Sequence, residues 1–146
     1  MTKLFEELDI IYNEIVAIRR HLHQYPELSF EEVNTAKYIA DFHEKLGHQV
    51  RTNVGGNGVL AYLKGEKPGP TVALRADFDA LPIHEQTDVP FKSNNDGVMH
   101  ACGHDGHTAT LLGLAKVLNG MQSEIKAQLF FFINMQRNCL QVGLLK

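Results

Sequence analysis

The stretch Thr71-Val72-Ala73-Leu74-Arg75-Ala76-Asp77-Phe78-Asp79-Ala80-Leu81-Pro82 decides the fold class, because an apolar run ends abruptly in two carboxylates and a proline. Residues 71–75 have the length and composition of a strand, and the Gly- and Pro-bearing segment 64–70 before them is a turn. Asp77 and Asp79 then sit at the carboxyl end of that strand, the edge at which ligand sites collect in open α/β sheets. Two residues apart, they share a face if the backbone stays extended. The competing reading makes one a turn former and the other a partner of Arg75, and for either Asp taken alone that reading is favoured.

Working outward, residues 49–53 and 59–63 are further strand-like runs separated by the turn Gly55-Gly56-Asn57-Gly58. Before them, Leu4, Leu8, Ile11, Ile15, Ile18 and Leu22 recur at spacings of three and four, which predicts one amphipathic helix ending before Pro26. Ser29 with Glu32 has the pattern of a capping box opening a second helix that Leu46-Gly47 closes. Downstream, residues 76–101 are aperiodic and read as a long loop, of the kind that is functional or disordered. Leu111, Leu114 and Leu118 mark a third helix over residues 105–119, and residues 127–133 are a final apolar strand. Strands interleaved with helices give an α/β layer architecture.

Composition bounds what such a domain does. The chain has 146 residues, 44% hydrophobic and 21% charged, which is ordinary globular composition and long enough to bury a core. A net charge of -3 without a Lys/Arg stripe excludes nucleic acid as a main partner. No apolar run approaches the roughly 18 residues that span a bilayer, and the acidic start Met1-Thr2-Lys3-Leu4-Phe5-Glu6-Glu7 is unlike a signal peptide, so the cytoplasm is expected. In that compartment Cys102 and Cys139 stay reduced rather than pairing.

The chemistry is densest in His100-Ala101-Cys102-Gly103-His104-Asp105-Gly106-His107-Thr108. Cys102 and His104, two apart, suit a borderline-soft cation such as zinc, although a Cys-x-His pair alone is a weak signal. His107 falls on the apolar stripe of the third helix and reads as a core histidine, while His100 either backs the ligands or faces solvent. Asp105 near the helix start is explained as a cap, and His21 and His23 by the dipole at the end of the first helix. His43, His48 and His84 have no acidic or thiol neighbour at metal spacing and receive no role.

Three motifs in order, Arg19-Arg20-His21-Leu22-His23 with Pro26-Glu27-Leu28-Ser29, the 74–82 segment and the 99–108 segment, resemble the amidohydrolase branch of the zinc aminoacylase and carboxypeptidase superfamily. The resemblance covers residues 1–133, the opening third of a typical member. It implies the N-terminal part of a metallopeptidase-like, three-layer α/β/α catalytic domain, without the inserted lid that mediates homodimerisation in the family. It also implies two divalent ions, zinc or manganese, hydrolysing the amide of a small N-acyl amino acid. Cys102 and His104 would then be metal ligands, and Asp79 would orient the site from behind them.

The resemblance further leads one to expect a Glu-Glu pair, general base and ligand, after the last strand, where this chain reads Asn134-Met135-Gln136-Arg137-Asn138-Cys139. Codons for residues 133–144, regrouped from the third base of Ile133, can spell Gln-His-Ala-Glu-Glu-Leu-Pro-Pro-Gly-Gly-Ala. The Ala is forced by Met135 and Gln136, and the first Leu by Asn138 and Cys139. The expectation is therefore an incomplete catalytic domain over residues 1–133 and an out-of-frame tail over 134–146 that carries Cys139 by accident. Losing the general base removes about 10²–10⁴-fold of rate, so a chain without turnover is expected. The alternatives are a non-catalytic metal-binding module, and a cysteine hydrolase on Cys102, for which no nucleophile-elbow pattern is present.

Overall fold

The computed structural model describes residues 2–134. The reading-frame expectation for the tail, and Cys139 with it, falls beyond Asn134, outside the described residues. The elements run α1 (Thr2–Ile10), α2 (Tyr12–Gln24), α3 (Val33–Lys45), β1 (Gln49–Arg51), β2 (Val59–Lys64), β3 (Thr71–Asp77), α4 (His104–Gly120), a 3-10 turn at Gln122–Glu124 and β4 (Gln128–Asn134).

The single helix expected over residues 4–22 is instead two, bent at Ile11. The Ile11 carbonyl accepts the N–H groups of Glu14 and Ile15 at 2.9 and 3.0 Å and so starts the second helix while ending the first. With that bend, Lys3 pairs with Glu124 beyond the end of α4, while Glu14 on α2 meets Lys116 on α4 at 2.6 Å.

The start of α3 also differs from expectation. No Ser29–Glu32 capping box forms: Glu32 occupies the N-cap position without a side-chain cap bond. The carboxylate of Glu27 instead accepts the N–H groups of Asn34 (3.2 Å) and Thr35 (2.7 Å). Phe30 turns the chain through the left-handed region (φ 72), which delays the helix to Val33 and carries Ser29 out of reach of its first turn. A full negative charge at those free amides satisfies them and complements the helix dipole.

The four strands form one sheet in the order β1-β2-β4-β3. β1 and β2 are antiparallel, β2 and β4 antiparallel, and β3 runs parallel to β4, so β3-α4-β4 is a βαβ unit. Register places Val59, Ala61 and Leu63 opposite Ile133, Phe131 and Leu129, and these in turn beside Ala76, Leu74 and Val72, all on one face. That face meets Ile18 and Leu22 of α2, Ile39 and Ala40 of α3, and Leu112 and Ala115 of α4 in a single core. Burying each large side chain there contributes about 1.5–3 kcal/mol. Gly113 lets α4 approach α2 closely, since a Cβ there would lie 2.5 Å from Ile15 Cδ1.

The opposite face of the sheet carries Leu60, Tyr62, Phe130 and Phe132, all half-buried. Among the described residues the helices cover one face only, so they supply two layers of an α/β architecture. The long loop read from sequence over residues 76–101 lies at 78–103 between β3 and α4, and it is ordered by isolated bridges, Leu28 with Ala80 and Leu81 with Met99, and by Asn94 N–H donating to Gln24 O at 2.9 Å. Among the described residues no helix is long and apolar enough to cross a membrane.

Candidate metal centre

The parallel pair β3 and β4 ends with Asp77 beside Asn134, and the first turn of α4 comes down onto that carboxyl edge. Gly103 makes this approach possible: its φ of +84 lies in the left-handed region that residues with a Cβ avoid, and it turns the 78–103 segment directly into the helix. His104, Asp105 and Thr108 then lie on the buried side of α4, where the Thr108 hydroxyl donates to Asp77 O at 2.8 Å and locks helix to strand end.

His104 is the best-defined group of the site. Its Nδ1–H donates to both the backbone oxygen of Asp79 (2.8 Å) and Asp79 Oδ1 (3.0 Å). That fixes the tautomer and leaves the lone pair on Nε2, which faces Asp77 Oδ1 from 3.8 Å, beyond hydrogen-bond range. Asp77 Oδ1 in turn accepts His107 Nδ1–H at 2.7 Å. Burial pushes the Asp77 carboxyl up, but the His107 hydrogen bond and the electrostatic attraction of His104, His107 and Arg75 outweigh it and hold the group below the usual carboxylate range. Asp77, His104 and His107 each offer a ligand atom within 4.8 Å of the others.

Of the residues singled out from sequence, the fold thus brings His104, Asp77 and Asp79 into one place. Cys102 is an exposed free thiol on the segment leading into α4 and is not a member of the three-residue grouping. His107 is not a core histidine, for its side chain is 54% exposed. The buried side of α4 runs through residues 104, 108, 111, 112 and 115, so position 107 flanks it and its ring reaches sideways to Asp77.

Behind the site lies a buried polar group that sequence reading missed. His23 Nδ1 faces Asp105 Oδ2 at 2.7 Å and its Nε2 faces Glu85 Oε1 at 3.2 Å, while Arg19 Nε reaches the same Asp105 oxygen at 2.8 Å. His23 and Asp105 are therefore more than helix-end residues. Burial raises Glu85, yet hydrogen bonds from Thr87, the Ser93 N–H and His23 hold it down to about 2. His100 is buried beside this group with no hydrogen-bond partner on either ring nitrogen among the described residues, and burial depresses it to about 4, so it backs the site as a neutral ring rather than facing solvent. The signal that could have revealed the group is Asp105 itself, which sits four residues before buried Ala109 and so falls on the inward side of α4.

This geometry has relatives. Residues 73–135 match the profile of Peptidase family M20/M25/M40. A Bacillus subtilis protein that carries the name amidohydrolase YhaA is 62% identical over 121 residues, covering 83% of this chain and 31% of its own length. The N-acyl-L-amino acid amidohydrolase of Geobacillus stearothermophilus is 46% identical over 124 residues, covering 85% of this chain and 34% of its own. The crystal structure of the Bacillus subtilis YxeP protein, a dinuclear metal-binding peptidase of the M20 family, superposes with a TM-score of 0.80 at 44% identity, over 86% of this chain and 35% of that one. The chain spans about a third of the length of these relatives. A βαβ unit that sets two aspartates and an oriented histidine at its carboxyl edge, matched in sequence and fold at these levels, belongs to the M20/M25/M40 peptidase family.

Proposed function

We propose that residues 1–133 are part of the catalytic domain of a metal-dependent amidohydrolase of N-acyl amino acids, with Cys102 and His104 as metal ligands and Asp79 as the residue that orients His104. The observation that carries this reading is the Asp79–His104 pair. A buried carboxylate holding Nδ1–H leaves Nε2 as the donor atom, the arrangement that metal-ligating histidines adopt. The donor set also fits, because a thiolate and an imidazole suit zinc, and the adjacent Asp77 carboxylate is the kind of oxygen donor that manganese takes.

Two divalent ions would supply an acidified water and a polarised amide carbonyl. What the chain's own residues do is narrower. His104 and Cys102 hold a cation, Asp79 keeps the imidazole in one tautomer and one orientation, and Asp77 places a second carboxylate against Nε2 and His107. β4 leads into Asn134 where the resemblance calls for a Glu pair. We accordingly propose that this polypeptide binds metal without turning over substrate. A cytoplasmic setting, where thiols stay reduced, suits Cys102.

Titration of the metal-free chain with Co²⁺, read by its visible spectrum, tests the reading. A thiolate-to-metal band is expected in the parent, loss of that band in Cys102→Ala, and loss of binding in His104→Ala. Binding that survives His104→Ala overturns the assignment. Binding that needs Asp77 and His107 but not Cys102 replaces the ligand set with the three-residue grouping, which supports a non-catalytic metal module. Turnover of N-acetyl amino acids by the Zn²⁺- or Mn²⁺-loaded chain contradicts the proposed lack of activity.

A further inference from the structure

The segment Pro26-Glu27-Leu28-Ser29 belongs to the first of the three motifs of the resemblance, yet nothing in the proposed chemistry uses its serine. Ser29 lies fifty positions from Asp79 in sequence, and its hydroxyl donates to Asp79 Oδ2 at 2.7 Å. The two oxygens of that carboxylate are thereby divided: Oδ1 accepts from His104 Nδ1 at 3.0 Å, and Oδ2 accepts from Ser29. A carboxylate held at one oxygen only can turn about its Cβ–Cγ bond, because terminal carboxylate torsions have broad wells. Held at both, its plane is fixed, and with it the direction in which it pulls the imidazole.

We propose that Ser29 is a positioning residue that acts through Asp79 to set the orientation of His104 toward its metal. The inference rests on the reading of His104 as a ligand. A purely structural role for the hydroxyl fits less well, because the segment is already docked without it. Ala80 N–H donates to Glu27 O at 2.8 Å, Leu28 bridges Ala80, and the Glu27 carboxylate caps α3. Among the described residues the serine hydroxyl adds a hydrogen bond to the side chain of Asp79 alone. It also lies at a site where precision matters, since Asp79 is 2% exposed and there is little water to replace a lost donor.

Ser29→Ala and Ser29→Thr in the full 146-residue chain, each read two ways, test this. Co²⁺ titration is expected to show affinity about tenfold weaker in Ser29→Ala, the low end of the 10–100-fold that partners of metal ligands contribute, and restored in Ser29→Thr. In the metal-free protein, the His104 Nδ1–H proton resonance is expected to move upfield in Ser29→Ala and to return in Ser29→Thr. Unchanged affinity together with an unchanged resonance overturns the proposal, as does an equal loss in both variants. If the parent binds no Co²⁺, or binds it without His104, the ligand reading fails instead, and the metal-free resonance still decides whether Ser29 positions the ring. Should Ser29→Ala not fold, Ser29→Cys, of similar volume but a weak donor, is read by the same two measurements with the same expected loss.

Discussion

Two groups of histidines in this molecule are built from the same side chain and do opposite things. In the core, His43 Nδ1 meets His48 Nδ1 at 2.9 Å and His48 Nε2 meets Asn119 Oδ1 at 3.2 Å. An amide oxygen only accepts, so His48 Nε2 carries its proton, His48 Nδ1 accepts, and His43 Nδ1 donates. The run ends at His43 Nε2, which is buried without a partner among the described residues, and both rings lie against Phe131 with centroids 5.5 and 5.9 Å away. At the strand end, His104 and His107 meet carboxylates instead. The first group is two neutral rings packed as if they were aromatic hydrocarbon. The second is held by negative charge on one nitrogen, with His104 Nε2 left for a ligand. The neighbour, not the histidine, decides whether the ring packs or reacts.

Acid should break the first group. Burial, with the charge of His48 as a lesser cause, lowers His43 from 6.5 to about 3, and burial lowers His48 as well. An imidazole depressed in the folded state binds more protons when unfolded, so stability is intact above pH 6.5 and falls as the pH drops from there toward 3. Over that range His43 alone costs about 1.4 kcal/mol per pH unit, or roughly 3 kcal/mol by pH 4. Glu85, depressed to about 2, adds its own loss below its ordinary 4.5. Urea unfolding from pH 7.5 to 4 measures the slope, and His43→Leu is expected to flatten it by one proton. A slope unaffected by that substitution dissolves the distinction between the groups.

Asp79→Asn addresses the second group. It keeps the shape but exchanges a charged acceptor for an amide, and metal affinity is expected to fall 10- to 100-fold, about 1.4–2.7 kcal/mol, with little change in urea midpoint. Isothermal titration with Zn²⁺ measures it. An undiminished affinity separates Asp79 from the metal chemistry altogether.

The smallest effect sharpens the comparison most. His84 Nδ1 also faces a carboxylate, Asp96 Oδ1, at 2.6 Å, but its side chain is 66% exposed and that of Asp96 90%. Water screens this pair, so His84→Gln is expected to change stability by less than about 0.5 kcal/mol and metal affinity not at all. A larger effect on either measurement means that a carboxylate neighbour matters even without burial.

The order of elements was legible before the structure because helices and strands are local. Periods of 3.6 and 2 follow from backbone geometry over a few residues, so β2, β3, β4 and α4 lie within a few residues of where the hydrophobic pattern puts them. The same locality made the 99–108 and 74–82 motifs visible. Capping was misjudged for a related reason. Ser29 and Glu32 have the spacing of a capping box, but spacing says nothing about a competing partner, and Asp79 takes the serine while Glu27 takes the helix amides.

By itself, then, the sequence determined an α/β chain with a histidine- and carboxylate-bearing edge after its third strand. Which partners complete that edge was decided by tertiary structure. Asp105 meets His23 across 82 positions, Asp79 meets Ser29 across 50, and His104 meets Asp79 across 25. His107 leaves the core because of where α4 crosses β3. Hydrogen bonds and charge pairs act over about 3 Å, and only the path of the folded backbone says which residues come that close.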